Sequence, residues 1–172
     1  GKWLLATSWS GKVYLLDKED SQPKFQEIDA HKENAIGGDW SADSTRFLTS
    51  SWDGTAKVWE VTRRQLLATA GNGRAQVRAA AISANGKWMV VPADLGSVWV
   101  WDVDKNQQIA RFSVGNKNIR AAEFLSDHQV ILLTTDHQLY QASFDPNHPE
   151  PAFSLQAGGW TNLRVCPDGE AV

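Results

Sequence analysis

Residues 46–60 read Arg46-Phe47-Leu48-Thr49-Ser50-Ser51-Trp52-Asp53-Gly54-Thr55-Ala56-Lys57-Val58-Trp59-Glu60. Two short apolar-rich runs, 46–51 and 56–60, flank Asp53-Gly54. An Asp-Gly pair between two such runs signals a hairpin, because glycine takes the turn conformation without steric cost. In the second run Ala56, Val58 and Glu60 point one way while Lys57 and Trp59 point the other, as the two-residue period of a strand requires. A third run over 65–69 follows a further polar turn. The local unit is a set of short antiparallel strands.

Working outward, the same unit returns. Ser51-Trp52-Asp53-Gly54 is preceded by Ser8-Trp9-Ser10-Gly11, a shift of 43 residues. Asp94-Leu95-Gly96 follows 42 later, and His137 takes the glycine's place after another 41. Trp40, Ile82, Phe124 and Val165 keep the same beat, each before a polar turn. So do Leu16, Trp59, Trp101 and Ala142, while Gly1-Lys2-Trp3 and Gly86-Lys87-Trp88 match at 85, two periods apart. The chain length of 172 is four such units of 43. No stretch sustains the 3.6-residue period of a helix, and 76–82 is expected as a strand from its place in the repeat. The class is all-β.

Composition narrows the function classes. The chain is 42% hydrophobic and 22% charged, too apolar for a disordered segment. The net charge of −3 gives no general attraction to nucleic acid. No run approaches the length of a membrane-spanning helix. A single cysteine, Cys166, rules out an intrachain disulfide and a cysteine-rich metal site. The four histidines, His31, His128, His137 and His148, show no metal-ligand spacing. His148 falls in the proline-rich stretch 145–151, expected as a surface loop. Gly71-Asn72-Gly73-Arg74 lacks the lysine, the hydroxyl and the helix of a phosphate loop. Asp102 and Asp104 have no claim to acid–base chemistry, and no cofactor is implied. The chain opens on Gly1-Lys2 and its only methionine is Met89, so a fragment, a processed product or a tag-trimmed chain is expected.

A repeat of this length with four short strands per unit is what a propeller blade occupies. The residues resemble the WD-repeat (WD40) family of β-propellers. The best unit runs from Ala30-His31 through Trp40-Ser41-Ala42-Asp43 to Trp52-Asp53-Gly54 and closes on Trp59-Glu60; the next closes on an intact Trp101-Asp102. The resemblance covers the whole chain, strongly in the second and third units and weakly in the first and last. It implies four WD40-type, four-stranded antiparallel blades in one repeat region over 1–172, with units near 1–30, 31–71, 72–114 and 115–157. It also implies a buried hydrogen-bond chain of His31, Thr49 or Ser51, Asp53 and Trp59, which only the second unit can build.

In the family each blade's strands run a to d from centre to rim. The chain then starts in a strand b and ends with a strand a over 160–165, so that 158–172 can complete the first blade. Three assemblies fit: part of a larger ring, which is favoured; half of a ring made by two chains; or four blades closed by the C-terminal strand. The family's narrow top face is lined by the start of strand a and by the residue before the b–c turn. The first set is Ile36, Arg78, Arg120 and Thr161; the second is Trp9, Trp52, Asp94 and Thr135. Trp9, Trp52, Arg78 and Arg120 stand out, since tryptophan and arginine dominate binding hot spots. The competing reading packs the tryptophans over neighbouring turns and pairs the arginines with Glu123 or Asp94.

The expectation is a non-enzymatic protein- or peptide-binding scaffold, without nucleic acid, membrane or cofactor. One alternative is a regulatory domain of a larger signalling ATPase or kinase; the last is a propeller enzyme with a channel active site. Compartment stays open, with the cytoplasm favoured.

Overall fold

The structure is a computed structural model that describes residues 1–145 and the backbone of 148–156. Its strands follow the chain in four antiparallel sheets. The first sheet holds β1 (Trp3–Thr7), β2 (Lys12–Asp17) and β3 (Gln26–Asp29). The second holds β4 (Ala35–Trp40), β5 (Arg46–Ser51), β6 (Thr55–Glu60) and β7 (Leu66–Gly71). The third holds β8 (Ala81–Ile82), β9 (Trp88–Pro92), β10 (Ser97–Asp102) and β11 (Gln107–Ser113). The fourth holds β12 (Ile119–Ser126), β13 (Gln129–Thr134), β14 (Leu139–Asp145) and β15 (His148–Gln156). Every sheet is a meander in chain order and none closes into a barrel.

The sheets pack face to face in sequence, and the strand period explains why. In β5, Phe47 enters the core shared with Val13 and Leu15 of the first sheet. Its neighbour Leu48 enters the core shared with Met89 and Val91 of the third. In β9 the pattern repeats: Val90 joins Val130 and Leu132 of the fourth sheet, on the side opposite Met89. Successive side chains alternate between faces, so a strand between two sheets must be apolar on both. Each fully buried Val, Leu or Phe contributes about 1.5–3 kcal/mol, so these inter-sheet cores hold the blades together. The inner strands β4, β8 and β12 neighbour one another, and the sheets radiate outward from them as propeller blades do.

Polar stitches tie the same joints. Asp39 Oδ2 of β4 accepts the Ile82 N–H of β8 at 2.9 Å. Ala42 N–H donates to Ala84 O at 2.8 Å, and Asn85 N–H reaches Asp127 Oδ1 at 3.4 Å, one repeat further on. Arg46 donates to Gly86 O at 2.9 Å and pairs with Asp104 at 2.8 Å.

The turn marker found in the sequence sits in one backbone state. Gly11, Gly54, Gly96 and His137 have φ of 79°, 79°, 69° and 63°. Glycine is required at Gly54 for a second reason, since a Cβ there would lie 2.7 Å from Gly73 Cα. His137 keeps the conformation and bears its steric cost.

Two expectations need correcting. Of 76–82 only Ala81–Ile82 joins the ladder; Val77 N–H bonds instead to Ser51 O at 2.9 Å, at the end of β5 in the preceding sheet. The stretch 145–151 is not simply a loop, because β15 begins at His148. Among the described residues it pairs with β14 alone, and a strand at such an edge tolerates Pro149 and Pro151, whose missing N–H groups leave no inner ladder broken. The strand expected over 160–165, its ring-closing role, Thr161 and Cys166 lie outside the described residues.

Candidate functional site

The second sheet carries a continuous buried relay. Trp59 Nε1–H donates to Thr49 Oγ1 at 3.0 Å. Thr49 Oγ1 lies 2.8 Å from His31 Nε2, and His31 Nδ1 lies 3.1 Å from Asp53 Oδ2. The carboxylate fixes the direction, because it can only accept, which leaves Nε2 of the neutral ring as an acceptor, while the indole can only donate to Thr49. Thr49 then donates to Nε2, and the imidazole carries its proton on Nδ1, facing the carboxylate. Thr49 is fully buried, and the side chains of His31 and Asp53 are 0% and 8% exposed.

The Asp53 carboxylate accepts three further hydrogen bonds. Its Oδ1 accepts the Thr55 hydroxyl at 2.6 Å and the Thr55 N–H at 3.0 Å; its Oδ2 also accepts the Lys32 N–H at 3.0 Å. Ser51 stands beside the relay: its hydroxyl accepts the Asp53 N–H at 3.0 Å and donates to Glu33 O at 3.2 Å. Burial lowers the His31 pKa and outweighs the attraction of Asp53, so the ring is neutral. Burial pushes Asp53 up, but hydrogen bonds from Thr55 and Lys32 and the nearby imidazole hold it below the usual carboxylate range. Thr55, 3.2 Å from His31 Nδ1, went unseen in the sequence. Its signal is the Asp-x-Thr spacing, which recurs at Asp43 and Thr45 with a hydroxyl–carboxylate bond of 2.9 Å.

The other sheets are braced differently. Trp101 donates to Asn106 Oδ1 at 3.2 Å, with no histidine relay. In the fourth sheet Thr134 donates to Asp136, which pairs with Lys117 at 2.6 Å. Asp102 accepts the Lys105 N–H at 3.0 Å while Asp104 pairs with Arg46, so the two carboxylates serve separate structural contacts. Among the described residues no group of His, Cys, Asp and Glu is placed to hold a metal ion. No helix of the described residues is long and apolar enough to cross a membrane.

The b–c turns and the entries to the next inner strands lie at one end of the sheets. Ala35 N–H donates to Ser8 O at 3.0 Å, and Val77 N–H to Ser51 O at 2.9 Å, the same stitch one repeat apart. Trp52 N–H donates to Asn34 O at 3.0 Å, and Thr135 N–H to Asn118 O at 2.9 Å.

Three of the four face residues singled out in the sequence touch in series here. Trp9 is 81% exposed and tilts against Trp52, with ring centroids 6.2 Å apart. The Arg78 guanidinium lies over Trp52, 5.8 Å from its ring centroid, and donates to Gln76 Oε1 at 2.7 Å. Arg78 and Arg120 both line a surface cleft of about 620 Å3. They also both line a recess of about 340 Å3 among the inner strands. The side chain of Asp94 lies outside the described residues. Sequence reasoning missed Arg74, which lines the cleft from the connection after β7; its signal is the arginine that follows the Gly-Asn-Gly turn.

Comparison with known proteins agrees with this geometry. Residues 23–60 match the family described as WD domain, G-beta repeat. The chain is similar to Actin-interacting protein 1 of Drosophila melanogaster, 36% identical over 68 residues, 39% of this chain and 11% of that protein. It is also similar to the mRNA export factor of Macaca fascicularis, 33% identical over 70 residues, 39% of this chain and 18% of that one. Among solved structures it superposes on a chain of a mitotic checkpoint complex with a TM-score of 0.79. That match has 14% identity and covers 98% of this chain and 54% of the other. The chain therefore spans about half the length of the structure it matches and under a fifth of these curated relatives. It has a WD40-type β-propeller fold with divergent repeats, the clearest of which, at residues 23–60, matches the WD-domain G-beta repeat family.

Proposed function

We propose that this chain is a non-catalytic scaffold that holds a protein partner on the face built by Trp9, Trp52, Arg78 and Arg120. The observation that carries it is the exposed Trp9 packed against Trp52, itself capped by Arg78 at the mouth of the cleft. A tryptophan left four-fifths exposed loses apolar burial that a partner can restore. The guanidinium beside it is held in place by Gln76 and the indole, so less side-chain entropy is lost on binding. Known proteins support the reading: one relative is named as interacting with actin, and the matched structure is a protein complex. We take the four sheets as blades of a larger ring, with the first completed by strand pairing at the edge of β1, which is unpaired among the described residues.

The test is to replace Trp52 and Arg78 together by alanine and compare the proteins captured from the source organism's extract. The scaffold reading expects the captured partner to be lost while the melting temperature is kept. Unchanged capture by a normally folded double variant would refute it.

A further inference from the structure

The face just described also indicates what its partner must look like. Three arginines, Arg74, Arg78 and Arg120, line the surface cleft, and no described residue of its lining is acidic. All three are exposed. The chain as a whole carries a net charge of −3, so this cationic cleft runs against the overall sign. A concave site of one charge focuses its field on ligands of the opposite charge. The recess that Arg78 and Arg120 also share is lined by Gly37, Gly38, Ser50 and Glu123. Ser50 is 1% exposed, and its hydroxyl has no hydrogen-bond partner among the described residues. A buried hydroxyl without a partner is costly, and a carboxylate entering the recess would accept its hydrogen. Gly37 keeps that approach open: a Cβ there would lie 2.5 Å from Ser50 Oγ.

We propose that the partner presents an acidic peptide segment, with an Asp or Glu carboxylate seated between Arg78 and Arg120 over Ser50 and an apolar neighbour against Trp52 and Trp9. This rests on the scaffold reading and adds the partner's chemistry to it. Arginine suits the role because its planar fork pairs both carboxylate oxygens. Glu123 also lines the recess and repels a second negative charge, so the two arginines and the Ser50 hydroxyl together must outweigh it.

The test uses fluorescein-labelled short degenerate peptide pools with identical apolar positions. Their polar positions carry Asp/Glu, Asn/Gln, Lys/Arg or phosphoserine, and binding is read by anisotropy. The Asp/Glu pool is expected to bind at least about tenfold more tightly than the Asn/Gln pool, a margin that shrinks as salt rises. Arg78→Gln and Arg120→Gln each cost about tenfold, and Arg63→Gln, on an exposed turn away from the cleft, costs nothing. Ser50→Ala lowers affinity for the Asp/Glu pool several-fold with an equal or higher melting temperature, which loss of a structural contact would not give. Equal binding of the Asp/Glu and Asn/Gln pools that still depends on Trp52 would overturn the acidic assignment and leave the scaffold face standing. Binding of the phosphoserine pool alone would overturn it too. Binding untouched by Trp52→Ala with Arg78→Ala would sink both readings.

Discussion

Thr49→Val tests the buried relay at its hinge. The two side chains have nearly the same volume, so the change opens no cavity; it removes one hydroxyl. That hydroxyl accepts from Trp59 Nε1 at 3.0 Å and donates to His31 Nε2 at 2.8 Å. Both partners are buried, Trp59 at 6% exposure and the His31 side chain at 0%, so neither can turn to water. Each orphaned group costs about 1–3 kcal/mol, giving a loss of about 2–6 kcal/mol in all. For a chain of this size that lowers the melting temperature by roughly 4–24 °C. Thr49→Ser, which keeps the hydroxyl and drops only a methyl, costs about 1 kcal/mol. Pairing Thr49→Val with Trp59→Phe removes the orphaned indole N–H, so the double variant should lose less than the sum of the singles. Calorimetry on the parent, Thr49→Val, Thr49→Ser, Trp59→Phe and the double variant reads all of this. A Thr49→Val protein melting within about 2 °C of the parent would refute the relay as a stabilising unit.

Other outcomes follow from the same geometry. The folded pKa of His31 lies below its ordinary 6.5, so the unfolded chain binds more protons as pH falls. Stability is full above pH 6.5 and declines below it; Asp53, also depressed, adds a second loss below about its ordinary 3.8. His31→Gln should flatten the upper part of that curve in urea titrations at stepped pH, and an unchanged slope would contradict the assignment. Gly54→Ala forces a Cβ against Gly73 at a φ of 79°, and should cost at least about 1–2 kcal/mol by thermal melting. Leu95 holds a φ of 56° while 65% exposed, so Leu95→Gly should raise stability by several tenths of a kcal/mol; a drop in melting temperature would show that the side chain packs usefully. Light scattering should show association or completion by further chain, since the β1 edge is unpaired among the described residues; a stable monomer of this chain would count against pairing between two copies.

The fold was legible in the sequence because turns and strand ends recur at one period, and turn chemistry is local. Gly11, Gly54, Gly96 and His137 share a backbone state that only a few residue types accept readily. The extent of strand a was not legible. Residues 76–80 have strand-like composition, but the Val77 N–H finds its acceptor in the neighbouring sheet, a pairing no local pattern encodes. His148 was misread because prolines signal loops unless the strand lies at an edge, and edge status depends on the sheet order. At the site, Trp52 and Arg78 lie 26 residues apart, yet the period placed both at one end of the sheets. Their mutual contact, and the arrival of Arg74 and Ser50 near the same arginines, depends on how sheets pack and could not be read from spacing.

Among the described residues the relay belongs to the second sheet alone, and this makes the chain mechanically uneven. In stacked repeats, stability is roughly a sum of each unit's own strength and its joints to its neighbours. Amide exchange should therefore be graded along the chain. β5 and β6 should be the last to open, held by the relay and by cores on both faces. β1, whose outer edge is unpaired among the described residues, and β8, with two residues in the ladder, should open sooner. Arg78 enters from the connection just before β8, so one anchor of the face stands on a short, easily released strand while Trp52 stands on the firmest hairpin. A ligand gripping both would slow exchange in β8 far more than in β5, linking occupancy of the face to the rigidity of the third sheet.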